Sequence, residues 1–261
     1  MKYSRLFFIA VIAAVLFSGC ASGNLPGCSE QPPMIVTRIT EPVKLDGKLE
    51  EPFWAKLPKH ELAYDDEKNT RCRAEAIRAR QEAYEGAWVK VAYDDKYVYI
   101  AAQLEDDDVI SYAKKHGGHL YLMADTLEIF FWPTEKVHYW EMYATPSGHK
   151  NNYAYPAGGV LTVSRYLGTA PDSPGLEIAS QVCGKINDRT ARDQYWTTEM
   201  RVSRQMFADA GVEFAPGQSW RMLAARYNYS GLKYRRQNST YPALPIYSFH
   251  LRNYYAPVEF R

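Results

Sequence analysis

Carboxylates are the side chains in this sequence whose placement could do chemistry. Glu128 stands between Leu127 and Ile129 with Phe131 beyond, and Glu141 and Tyr143 alternate with Trp140 and Met142. Successive side chains of an extended strand point to opposite faces, so these acids turn away from an apolar set. A carboxylate so placed can accept charge-assisted hydrogen bonds from vicinal sugar hydroxyls, or it can simply be a solvated outer-face residue. If Glu128, Glu141 and Glu199 project from one face, two carboxyls ~5–9.5 Å apart would also suit a glycosidase. Arg226 shares a strand face with Trp220, Met222 and Ala224, which would make it a paired charge if that is the core face. The run Asp106-Asp107-Asp108 is either a strand end meeting solvent or part of a calcium site. Calcium takes six to eight oxygens from several segments, and Asp106, Asp108 and Asp125 with loop carbonyls are the candidates. No G-x-S-x-G nucleophile motif and no Cys/His zinc spacing is present. Met123, Met142 and Met206 could in principle ligate haem, but methionine at strand positions ordinarily packs a core.

The elements that must position these groups read as strands. Val89, Val91 and Tyr93 share one face, Val98, Ile100, Ala102 and Leu104 share the next, and Asp94-Asp95-Lys96 turns between them. Further strands are predicted at Leu127–Trp132, Tyr139–Ala144, Leu176–Ile186, Tyr195–Val202 and Trp220–Tyr229, punctuated by Pro/Gly turns. This spacing predicts an all-β, antiparallel β-sandwich of immunoglobulin-like or jelly-roll type with one or two short helical insertions. Those insertions are Ala74–Tyr84, rich in helix formers, and a short helix capped by Ser203, running to about Asp209 and stopped by Gly211.

Composition bounds the function. Lys2 and Arg5, the apolar run Leu6–Phe17, and Phe17-Ser18-Gly19-Cys20 form an export signal ending in cysteine, with residues 21–33 as a tether. The last four residues resemble a bacterial lipobox, which implies lipidation of Cys20 and a place in the cell envelope, on the outer membrane. Without Lys2 and Arg5 the chain carries 29 basic and 30 acidic residues, so no basic stripe exists for nucleic acid. Aromatics reach 14%, with 21 tyrosines, a composition suited to sandwich cores and to sugar surfaces. Cys28, Cys72 and Cys183 allow one disulfide and one thiol left over; Cys72–Cys183 is favoured because Cys28 lies in the tether.

Four ordered passages resemble the family 9 carbohydrate-binding modules. They are Leu45-Asp46-Gly47 through Trp54, the hairpin ending in the aspartate run, Asp125-Thr126-Leu127-Glu128-Ile129-Phe130-Phe131, and Ser248-Phe249-His250 through Phe260. The resemblance spans most of residues 34–261. It implies one β-sandwich that binds glycan on a sheet face without transforming it, with structural calcium, and with the Leu45-Asp46-Gly47 start and the Val258-Glu259-Phe260 end as strands. It places Glu128, Glu141, Tyr143 and Arg226 among the sugar contacts. Phe249 stands where the family has a stacking tryptophan and Leu122 where it has another, with Tyr121 alongside; Tyr247 and His250 flank the site. The implied partners are a glycan, the membrane through the lipid anchor, and polysaccharide-degrading enzymes. Alternatives are a glycan-processing hydrolase or lyase-like enzyme using the sheet-face carboxylates, and a sandwich serving as a protein-interaction surface.

Overall fold

The computed structural model describes residues 31–64, 84–155, 175–230, 235–246 and 248–261. Its strands, numbered in chain order, are β1 (Met34–Arg38), β2 (His60–Glu61), β3 (Ala63–Tyr64), β4 (Ala87–Tyr93), β5 (Tyr97–Glu105), β6 (Thr126–Pro133) and β7 (Tyr139–Ala144). They continue with β8 (Lys150–Tyr155), β9 (Leu176–Cys183), β10 (Tyr195–Ser203), β11 (Trp220–Ser230), β12 (Arg235–Tyr241) and β13 (Ala256–Phe260). The alternating hairpin forms as its sequence requires. β4 and β5 pair antiparallel, and the Asp94 carboxylate accepts the amides of Lys96 and Tyr97, each at 2.7 Å, to hold the turn.

One sheet runs β9-β10-β5-β4-β1 with β2 beside β4; the other runs β8-β7-β6-β11 with β12 beyond and β3 on its edge. β13 joins them, lying parallel to β1 and antiparallel to β11. The chain's two described ends therefore meet in one structure, Met34 opposite Val258. Between the sheets lie Val89, Val91, Ile100, Leu104, Leu127, Ile129, Phe131, Met142, Trp196, Met200 and Met222, all 1% exposed or less. The chain is an all-β sandwich.

Three expectations need correction. Leu45-Asp46-Gly47 is a turn, not a strand, because Gly47 takes φ +78°, a left-handed conformation that extended pairing does not use. Ser203 precedes helix α2 (Arg204–Asp209), but its side chain makes no cap hydrogen bond; its amide bonds to the Gly175 carbonyl instead. The short helix α1 (Pro52–Lys56) was not expected; proline near its start suits the first helical turn. The Ala74–Tyr84 insertion lies almost wholly outside the described residues, as do Cys20, Cys28 and Cys72; Cys183 is half-buried and makes no disulfide among the described residues.

Apolar segments cover part of each outer face. Ile39, Phe53, Trp54 and Leu57 pack on Ala92, Tyr99 and Ala101 outside the first sheet. Outside the second, Ala113, Leu120, Leu244, Phe249 and Tyr255 pack on Phe130, Tyr139, Tyr143, Tyr153 and Leu223.

Candidate functional site

The outer face of the second sheet gathers most of the expected contacts. Strand register sets Glu128 of β6 opposite Tyr143 of β7, and Phe130 opposite Glu141. On the other side Glu128 faces the small Ala225 of β11. Alternation thus points Glu128, Glu141 and Tyr143 away from the inter-sheet core, as their sequence requires. They are not solvated, however: exposures are 1%, 2% and 1%. The physical reason is the second apolar layer, which folds across this face and turns an outer surface into an interior.

Within it the Tyr143 hydroxyl donates to Glu141 Oε1. Glu128 Oε1 and Glu141 Oε2 are buried without a hydrogen-bond partner among the described residues. Burial, reinforced by the charge of Glu141, pushes the Glu128 carboxyl well above the usual range, opposed by Arg236. Burial likewise raises Glu141, against the pull of hydrogen bonds from Tyr143 and Tyr155. Two carboxyls in one dry compartment cannot both ionise cheaply, so burial favours their protonated forms. Such a pair can both donate to and accept from neighbouring hydroxyls.

Aromatic rings line the rest. Tyr121 stacks on Tyr227 with centroids 4.9 Å apart and meets the edge of Tyr143 at 6.1 Å. The Arg236 guanidinium lies 4.5 Å from the Tyr227 centroid. His250 meets the Tyr139 hydroxyl at 2.8 Å, and burial depresses its pKa. Tyr121, Arg236 and His250 are half-buried and mark the mouth of the compartment. Tyr227 and Arg236 escaped the sequence reading. Tyr227 continues the outward alternation of Leu223 and Ala225 and could have been found. Arg236 sits on β12, a polar strand with no apolar alternation to reveal it.

Other expected contacts fall elsewhere. Phe249 is 5% exposed and packs edge-on to Phe130 and Tyr227, a core ring rather than an open platform. Arg226 points into the inter-sheet side, fully buried, donating to the carbonyls of Glu85 at 3.0 Å and Glu105 at 2.6 Å and pairing with Asp106 at 3.3 Å. It does not join Glu128. Glu199 lies on the outer face of the first sheet, so the three glutamates do not share a face. Tyr247 is outside the described residues.

The aspartates form an internal network. Asp125 accepts the amides of Ile110 and Tyr229, each at 2.6 Å, and Asp106 accepts that of Asp108 at 3.1 Å. Burial raises the carboxyls of both Asp106 and Asp125; the charge of Glu85 adds to this at Asp106 and that of Asp106 at Asp125, while Arg226 lowers both. A guanidinium already occupies the place beside Asp106 where a cation would sit, and among the described residues no three His, Cys, Asp or Glu side chains are grouped as metal ligands. These residues do not fit the calcium site expected of them.

No protein-family model matches the chain, and no curated protein matches it in sequence. Its fold is that of the family 9 carbohydrate-binding modules. It is similar to a candidate carbohydrate-binding protein from Bacteroides uniformis, with 12% identity and a TM-score of 0.66, over 88% of this chain and 99% of the other. It is also similar to a family 9 carbohydrate-binding module from Caldicellulosiruptor kristjanssonii. The module's cellotriose complex shares 13% identity, with 87% and 93% of the two chains covered and a TM-score of 0.55. The glucose complex shares 12%, with 87% and 94% covered and a TM-score of 0.53.

Proposed function

We propose that this chain binds a glycan without transforming it, in the aromatic compartment outside the second sheet. The observation that carries this reading is the pair of buried carboxyl oxygens, Glu128 Oε1 and Glu141 Oε2, left without partners among tyrosine rings. A buried polar atom without a partner costs roughly 1–3 kcal/mol, which a ligand hydroxyl would recover. Tyr121, backed by Tyr227, supplies a flat face for the C–H side of a pyranose, and Arg236 supplies donors at the mouth. The likeness to modules solved with cellotriose and glucose supports the same reading.

The export signal supports a further part of the proposal: the protein is anchored through a lipidated Cys20 in the cell envelope, on the outer membrane, and holds polysaccharide for degrading enzymes nearby. Changing Cys20 to Ala is expected to release it from membrane fractions; unchanged detergent-dependent fractionation overturns the anchor.

The site is tested by calorimetry with cellotriose and with oligosaccharides selected on a glycan array. Glu128→Gln keeps the shape but removes a strong acceptor, so affinity is expected to fall about ten- to hundredfold. Full affinity in that variant overturns this placement of the site.

A further inference from the structure

We propose that the first sheet carries a second, separate saccharide-binding groove on its own outer face. One register row crosses four adjacent strands there. Trp88 of β4 stands opposite Gln103 of β5, Gln103 opposite Thr197 of β10, and Thr197 opposite Gln181 of β9. These four side chains line an open groove of about 510 Å³, walled by the Lys48-Leu49-Glu50 loop. Leu49 holds φ +59°, an unfavourable conformation for a bulky side chain, and packs against the apolar layer of Phe53 and Trp54. Neighbouring strands lie ~4.8 Å apart, so the row runs about 14 Å, the reach of a short oligosaccharide rather than of one sugar.

The chemistry of the row is neutral and rich in hydrogen-bonding groups. The Gln103 amide is half-exposed and makes no side-chain hydrogen bond among the described residues. Gln181 donates to the Asp46 carbonyl at 2.9 Å, which orients its exposed amide and leaves its oxygen facing solvent. Thr197, 6% exposed, donates to the Gly47 carbonyl at 2.6 Å and forms the floor of the row. Trp88 is half-buried; the Lys59 and Lys90 ammoniums lie 4.8 and 5.4 Å from its centroid, and neither lines the groove. Both pack against the ring, and the indole also lines the groove. Amides in a row beside an indole face suit a chain of hydroxyls on a pyranose backbone. The opposite charges of Lys48 and Glu50 offer no footing for a polyanion.

This groove does not depend on the Glu128 compartment, so it is tested with that compartment disabled. In affinity electrophoresis, the Glu128→Gln protein is run through gels containing mixed-linkage β-glucan, xylan or mannan. Retardation by at least one is expected to persist. Adding Trp88→Ala is expected to weaken it about tenfold or more, as truncation of an interface tryptophan does. Gln103→Ala, which removes an amide with no side-chain hydrogen bond among the described residues, is expected to weaken it with the melting temperature unchanged. This separates lost binding from lost fold. The proposal is overturned if no gel retards the Glu128→Gln protein, if retardation survives both groove variants, or if sedimentation shows a second copy of the chain occupying the face.

Discussion

Both outer faces of the sandwich carry a buried glutamate under a covering segment, yet the two are opposites. On the first sheet, Glu199 has both carboxyl oxygens occupied. Oε2 accepts the amides of Asp46 at 3.0 Å and Gly47 at 2.8 Å, and Oε1 accepts the Trp54 indole at 3.2 Å. On the second sheet, Glu128 and Glu141 each leave an oxygen unmatched. The same residue type, equally turned away from the core, is a structural staple in one place and available to a ligand in the other. What separates them is the supply of donors in the segment laid over each face. The Asp46-Gly47 turn and the Trp54 indole bring three N–H groups; the aromatic layer over Glu128 brings rings.

This contrast is open to direct challenge, beginning with the largest effect. Glu199→Ala strands two amides and an indole N–H in a buried place, so unfolding free energy by urea titration is expected to fall by roughly 3 kcal/mol or more. A loss no larger than that of an ordinary surface glutamate would erase the distinction. Gly47→Ala tests the same staple from its other half. A Cβ there meets the Ala179 backbone at 3.0 Å and must also adopt φ +78°, so a loss of about 1–3 kcal/mol is expected in the same titration.

Glu128→Gln is expected to do the reverse, and only at higher pH. The folded state raises the pKa of Glu128, so it keeps a proton that the unfolded chain releases above the ordinary glutamate pKa of ~4.3. Wild-type stability is therefore lost as pH rises from there toward the folded pKa, and glutamine, which does not titrate, escapes that loss. The variant should match wild type near pH 4 and exceed it at pH 8, read as a higher melting temperature at the higher pH only. A gain equal at both pH values would show that the carboxyl is not desolvated.

The smallest effect concerns calcium. With Arg226 seated beside Asp106, millimolar calcium is expected to leave the melting temperature unchanged; a rise abolished by Asp106→Asn with Asp108→Asn would restore a metal to this place.

Much of the architecture was legible from local pattern. The β4–β5 hairpin, β7 and the inward sets of β6, β10 and β11 follow from period-two alternation, because a strand that buries one face must repeat every second residue. Strand β12 was not legible, since its polar residues bond a neighbouring strand without an apolar face to announce it. Arg226 was ambiguous for a related reason: its alternation named the core face, but the carbonyls of Glu85 and Glu105 that make a buried guanidinium tolerable are 141 and 121 residues distant.

The sequence by itself determined the direction in which Glu128, Glu141 and Tyr143 point, because direction is a property of the strand that holds them. Whether an outward side chain meets water, donors or rings was decided only by tertiary structure. That depends on which distant segment lies across the face, and no local period encodes contacts made more than a hundred residues away.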